Sequence, residues 1–203
     1  MKPGKISQTV YRRSVLKQLN TDVHAAFFPP AKEECCYGIK ADPGEMILSS
    51  GVSLYGNEKD LCVFAIAQVC NALATRGASP KGVSIQIMLP EFAYESRLKA
   101  MMQTSSEAAK EYGIEILAAD VQNVPGIQTT IVNVTAVGTT KRILQSCKAP
   151  AGQDIVQIKW IGLEGTLRIL KARQESLAKH FPSAFLKQTA SYEKELISLK
   201  EMK

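Results

Sequence analysis

The chain has few of the residues that build metal centres and no pattern typical of a membrane or exported protein. Its 203 residues include 2 histidines and 5 cysteines, and the absence of any CxxC spacing argues against a zinc or iron–sulfur site. An odd number of unpatterned cysteines instead predicts buried free thiols in a reducing compartment. No apolar run could span a bilayer, and no apolar leader follows the first residues. These absences predict a cytoplasmic protein.

The chain also lacks a basic stripe, internal repeats and low-complexity segments. The net charge is +6, but the positive residues are spread along the chain, which argues against nucleic-acid binding. Hydrophobic residues make up 45% and charged residues 22% of the sequence, as is usual for a globular protein. The length predicts one generous domain, or one domain with an appendage.

The most distinctive stretch that is present is residues 61–80, LCVFAIAQVCNALATRGASP. Its first 14 residues are apolar on almost every side, which predicts a helix buried between other layers. Asp60 is predicted to cap this helix, and Gly77 followed by Pro80 to end it. Asn71 places an amide in this otherwise apolar part. A buried amide must be hydrogen-bonded, so Asn71 either holds a backbone segment or faces a ligand.

Periodicity predicts the other elements. Predicted helices cover residues 6–19, 93–112, about 162–180 and a last stretch after Pro182, and predicted strands cover residues 33–40, 45–50, 83–89, 114–118, 127–138 and 154–160. The polar stretches 51–60 and 119–126 are predicted as loops. Long helices between β segments predict an α+β fold, with a mixed or antiparallel sheet covered by helices on one face and a C-terminal helical extension.

Several runs, in this order, resemble the aminoimidazole ribonucleotide (AIR) synthetase superfamily. They are NALATRGASP at 71–80, VSIQIMLP at 83–90, EYGIEIL at 111–117, TTIVNVTAVG at 129–138 and DIVQIKWIGLEGT at 154–166. With the opening GKISQTVYRRSVLKQL, they are most similar to the AIR-synthase-related proteins near the hydrogenase maturation enzyme that dehydrates a carbamoyl group.

The resemblance implies both a chemistry and an assembly. Members use Mg-ATP to phosphorylate an amide-type or carbamoyl oxygen of a small molecule or a protein, and they dimerise by pairing sheets, with nucleotide near the interface. It implies a nucleotide-binding and dimerisation domain over residues 1–150. Residues 151–203 would be a linker strand and helices leading to a second domain, outside this chain; the sequence leaves open whether the natural protein continues past Lys203.

Five residues are candidate ligand contacts because they match the family's motif positions. Glu34 falls in the stretch that is Gly-Glu-Asp-Ala-Ala in the family, and Ser50 falls on its Thr-Asp motif. Asn71 matches the asparagine of an Asn-Asp pair, and Asp120 and Gln122 fall in its Gly-Gly-His-Thr-Glu loop. The resemblance therefore implies Glu34, Ser50, Asn71, Asp120 and Gln122 as nucleotide contacts, and Glu34 and Asp120 as magnesium ligands.

Other positions depart from the family's motifs. Gly51 and Ala72 stand where the family has an acid, and Ala118 and Ala119 replace two glycines that approach phosphate. Two hypotheses therefore stay open. The chain belongs either to an ATP-dependent ligase or dehydratase, or to a non-catalytic dimeric scaffold or partner protein that has lost ATP chemistry.

Overall fold

The computed structural model describes residues 4–19, 39, 41–144, 150–197 and 199. The elements follow in the order β1 (Gly4–Lys5), α1 (Gln8–Ser14), β2 (Met46–Gly56), α2 (Leu61–Ala74), β3 (Ser79–Pro90), α3 (Glu95–Tyr112), β4 (Glu115–Val124), β5 (Thr130–Thr140), α4 (Leu163–Ala172), α5 (Gln174–Leu177) and α6 (Ser183–Ser191). Single 3-10 turns follow α1 at Leu16–Gln18 and α6 at Tyr192–Glu195.

The five described strands form one mixed sheet in the order β1-β4-β3-β5-β2. The β3–β4 pair is parallel and the other pairs are antiparallel. Helix α2 packs on β2, β3 and β5, and α3 packs on β4 and α2. The predicted α+β class, with a mixed sheet covered by helices on one face and helices at the C-terminal end, is therefore confirmed. We call the other side of the sheet the open face.

Helix α2 is the buried centre of the fold, as its composition predicts. Phe64 and Ile66 are completely buried, and Val132, Val134 and Ala136 of β5 meet the helix with no exposed surface. Gly77 adopts the left-handed conformation, with φ +75°, as expected for a residue that ends a helix. Asp60 makes no side-chain cap hydrogen bond. Its carboxylate instead accepts from Lys171 Nζ at 2.7 Å. Asp60 therefore stands at the predicted N-cap position of α2, but its side chain does not cap the helix.

Two predicted loops are strands. Residues 51–56 continue β2, which pairs with β5 along its whole length from Met46↔Thr140 to Gly56↔Thr130. Residues 119–124 continue β4, which pairs in parallel with β3 as far as Pro90↔Val124. In both strands polar residues alternate with half-buried or buried ones. The polar residues that suggested loops are the outward positions of strands with one solvated face.

The predicted strand over residues 154–160 does not form. Residues 150–161 lie in turns and irregular backbone, and Lys159 takes a left-handed conformation with φ 63°, which interrupts an extended strand. Ile155 and Val156 are exposed. The predicted strand over residues 33–40 lies outside the described residues, except for residue 39.

The C-terminal helices share the core of the sheet domain. Leu167 and Leu170 of α4 pack in the same buried cluster as α2, together with Leu196 and Ile197. Among the described residues, no helix combines the length and the apolar character needed to cross a bilayer.

Candidate functional site

Asp120 and Gln122 lie side by side on the open face of β4. Asp120 is opposite Gln86 of β3, and Gln122 is opposite Met88 of β3 and Lys5 of β1. Asp120 is exposed and Gln122 is half-buried. Because residues two apart on a strand point to the same side, these two predicted contacts share one surface.

Asp120 continues a row of polar side chains that crosses four strands. Gln86 on β3, Asn133 on β5 and Ser53 on β2 occupy the same register level, and Ser53 Oγ donates to Asn133 Oδ1 at 2.5 Å. We call Ser53, Gln86, Asp120 and Asn133 the polar band. Sequence reasoning did not assign Ser53, Gln86 or Asn133 to a site. The alternation of polar and apolar residues within each strand is visible in the sequence. The strand register that brings these four residues into one row is not.

Ser50 lies on the other side of the sheet from Asp120. It pairs with Ala136 of β5, which is completely buried under α2, so Ser50 faces the helices. Two strands, β5 and β3, separate it from β4. Ser50 and Asp120 of the same chain therefore cannot contact the same bound ligand.

Asn71 holds a backbone segment. Its Nδ2 donates a hydrogen bond to the Leu196 carbonyl at 2.7 Å. Of the two predicted roles, holding backbone or facing a ligand, this contact is the first. Gln68, one turn earlier on α2, donates to Glu164 Oε2 at 2.6 Å. Both amides line a cleft of about 350 Å³ between α2 and the C-terminal segment, bounded also by Trp160, Lys159 and the start of α4.

Glu34 lies outside the described residues, so its predicted role stays a prediction. Within the part of the chain that the structure describes, no three His, Cys, Asp or Glu side chains group closely enough to hold a metal ion. Of the two predicted magnesium ligands, the described residues therefore include Asp120 alone. Magnesium bound to a nucleotide needs one or two carboxylates and otherwise takes phosphate oxygens and water, so Asp120 fits only as one contact among several.

Two of the five cysteines lie in α2 and are free and buried. Burial raises the pKa of Cys62 and of Cys70 to about 12. Because the thiolate is the reactive form, neither thiol is a candidate nucleophile.

This burial predicts slow labelling of both thiols. In a variant with Cys35, Cys36 and Cys147 replaced by serine, a thiol reagent at pH 8 should label neither Cys62 nor Cys70 in the native state. Both should react once urea unfolds the chain. Rapid labelling of the folded variant, checked by circular dichroism, would mean that α2 is not enclosed.

The two long helices and four of the five described strands lie within the part of the chain that is similar to a known family. Residues 45–140, from the start of β2 to the end of β5, match the family described as AIR synthase related protein, N-terminal domain. The resemblance to the AIR synthetase superfamily seen in the sequence is thereby confirmed.

Particular relatives agree with this assignment. A Methanocaldococcus jannaschii protein named for hydrogenase expression and formation is 24% identical over 184 residues, covering 84% of this chain and 52% of that protein. The chain thus spans about half the length of this curated relative.

Solved structures show the same fold. Thiamine-monophosphate kinase from Stenotrophomonas maltophilia matches 95% of this chain and 61% of its own, with a TM-score of 0.66 at 18% identity. The hydrogenase maturation protein HypE in complex with ATP matches 68% of this chain and 40% of its own, with a TM-score of 0.54 at 18% identity.

Proposed function

We propose that this chain forms the nucleotide-binding and dimerisation part of an ATP-dependent enzyme of the AIR synthase superfamily. The observation that carries the proposal is the family match over residues 45–140. It is supported by a fold shared with a maturation protein that was solved with ATP. In the proposed reaction, ATP phosphorylates an amide-type or carbamoyl oxygen and so turns it into a leaving group. Residues 1–150 form the nucleotide domain in this proposal, and residues 151–203 lead towards a second domain.

The open face is the proposed surface for a second copy of the chain. Within the described residues no helix packs on it, and it exposes Tyr55 beside the polar band. Pairing two such faces would bring Asp120 and Gln122 of each copy to the interface, where we place the nucleotide. Sedimentation analysis should then give a dimer, and a clean monomer at micromolar concentration would count heavily against this assembly.

Nucleotide binding has a direct test. Millimolar Mg-ATP should raise the melting temperature, because a ligand at about 100 times its dissociation constant stabilises the native state by about 2.7 kcal/mol. Asp120→Asn should reduce the shift, since a carboxylate contact to the metal is lost. Asp154→Asn, which changes an exposed acid in the irregular segment, is the matched control. If millimolar Mg-ATP does not change the melting temperature of the wild-type protein, the proposal that this chain uses ATP is wrong.

A non-catalytic dimeric scaffold or partner protein is the second candidate. Gly51 and Ala72 stand where the resemblance implies acids, and the described residues hold no three-ligand cluster. A site with fewer carboxylates binds a magnesium–triphosphate group more weakly. ATP hydrolysis that disappears in Glu34→Gln would overturn this alternative.

A further inference from the structure

The cleft between α2 and the C-terminal segment lies on the helix side of the sheet. Gln68 and Asn71 of α2 line it together with Trp160 and Glu164. Its volume of about 350 Å³ is near the lower end of the range for small-molecule pockets in proteins. The open face, where we place the nucleotide, is on the opposite side of the sheet. A ligand in this cleft would therefore be distinct from the nucleotide.

The charges that line the cleft favour a cation. Glu164 and Glu195 contribute two carboxylates, and Lys159 contributes one ammonium group. Lys159 Nζ lies 2.5 Å from Glu195 Oε2, so this ammonium group already has an anionic partner. Two negative charges and one positive charge leave a formal charge of −1 on these side chains, which repels an anion and attracts a cation.

Glu164 has one carboxylate oxygen without a close partner among the described residues. Gln68 Nε2 donates to Glu164 Oε2 at 2.6 Å and so fixes the side chain. Arg168 Nη1 lies 4.0 Å from Glu164 Oε1, which is too far for a hydrogen bond. Arg168 Nη2 instead donates to the Tyr55 carbonyl at 3.0 Å. The Oε1 atom is therefore able to accept a hydrogen bond from a charged donor.

Trp160 adds an aromatic surface to the same cleft. It is 56% exposed, and its ring contacts that of Tyr192 at a centroid distance of 5.1 Å. The preceding residue, Lys159, has φ 63°, a left-handed conformation that costs free energy in a residue with a side chain and is often retained at binding sites. The face of an indole ring attracts cations, and it also stacks on planar guanidinium groups.

We propose that this cleft binds a guanidinium group, carried either by a small molecule or by an arginine side chain of a partner. One N–H of the group would donate to Glu164 Oε1, and its plane would stack on Trp160. The Leu196 carbonyl also lines the cleft, and its second lone pair can accept another N–H. Binding of this cation does not depend on nucleotide, because these residues lie on the helix side of the sheet.

A matched pair of ligands tests the role of charge. N-acetyl-arginine amide carries a guanidinium group, and N-acetyl-citrulline amide carries a neutral urea of nearly the same shape. Trp160 is the single tryptophan of the chain, so its emission should report binding in the cleft. At low salt the arginine compound should bind about tenfold more tightly than the citrulline compound, because the hydrogen bond to Glu164 is then between charged groups. Equal affinities, or no binding of either compound at tens of millimolar, would overturn the proposal.

Two variants should shift the affinity for the arginine compound in opposite directions. Glu164→Gln removes the uncompensated charge and should weaken binding about tenfold. Lys159→Gln removes the ammonium group from the cleft and should tighten binding about threefold, the effect of one partly exposed charge. Glu175→Gln, which changes an exposed acid on α5, is the matched control and should bind as wild type does.

A purely structural role of Glu164 and Lys159 would not produce shifts of opposite sign. If both variants weaken binding, or if neither changes it, the proposed site is wrong. Circular dichroism must show that each variant folds. The comparison of the arginine and citrulline compounds uses the wild-type chain, so it decides the result if a variant does not fold.

Two further ligands identify the source of the cation. Agmatine is a small molecule that carries a guanidinium group, and a short capped peptide with one arginine presents the same group on a backbone. Tighter binding of agmatine assigns the cleft to a small molecule, and tighter binding of the peptide assigns it to a partner's side chain. None of these titrations contains Mg-ATP, so a failure of nucleotide binding leaves their outcome unchanged.

Discussion

Phe64→Ala is expected to lower the free energy of unfolding by about 3–5 kcal/mol, the usual loss when a buried phenylalanine is truncated in a core. Phe64 is completely buried in α2. Its ring also lies 5.5 Å from the Lys171 ammonium group. Removing the ring would leave a cavity between α2 and α4. A packed interior closes such a cavity only in part. Urea denaturation at matched protein concentration measures the loss.

Phe92→Ala is the matched control. Phe92 is 86% exposed in the turn after β3, so its truncation should change the free energy of unfolding by no more than about 0.5 kcal/mol. A Phe64→Ala variant as stable as this control would show that α2 is not the centre of the core. The fold described above would then be wrong at its most important element.

The elements that the sequence predicted best are those whose pattern has one physical meaning. A run of 14 residues that is apolar on almost every side predicts a buried helix, and α2 covers that run, Leu61–Ala74. Helix α3 begins two residues later than predicted and ends at the predicted residue, where Gly113 adopts φ +67°. Its apolar stripe and its terminal glycine are independent signals that agree.

The strands were harder to predict because one face of the sheet is solvated. Polar residues such as Asp120 resemble loop residues when they are read alone, whereas their neighbours Ala119 and Val121 are buried. The parallel partner β3 pairs with this stretch across 34 residues of sequence, as in Gln86↔Asp120, and supplies the hydrogen bonds that make it a strand. Long-range pairing of this kind overrides local propensity.

The candidate site was predictable as a set of residues but not as an arrangement. The motif positions gave Ser50, Asn71, Asp120 and Gln122, and the sheet divides them between its two faces. Ser50 and Asn71 lie on the helix side, and Asp120 and Gln122 lie on the open face. A pattern of residue types carries no strand register, so the sequence could not show this division or the contact between Asn71 and Leu196.

Lys171→Met is expected to lower the free energy of unfolding by about 2–3 kcal/mol, somewhat less than the loss for a fully buried ion pair. Lys171 Nζ bridges Asp60 Oδ2 at 2.7 Å and Glu193 Oε1 at 2.6 Å. Asp60 is 7% exposed, so its carboxylate would remain nearly buried without a cation. Methionine keeps an apolar stem beside the Phe64 ring, which limits the change mainly to the lost charge.

A double-mutant cycle with Asp60→Asn isolates the pair. If the ammonium group of Lys171 and the carboxylate of Asp60 compensate each other, the double variant should be less destabilised than the sum of the single variants by about 1–2 kcal/mol. Lys187→Met, on the exposed side of α6, controls for loss of a positive charge and should be nearly neutral. Strict additivity in the cycle would mean that the two groups do not interact in solution.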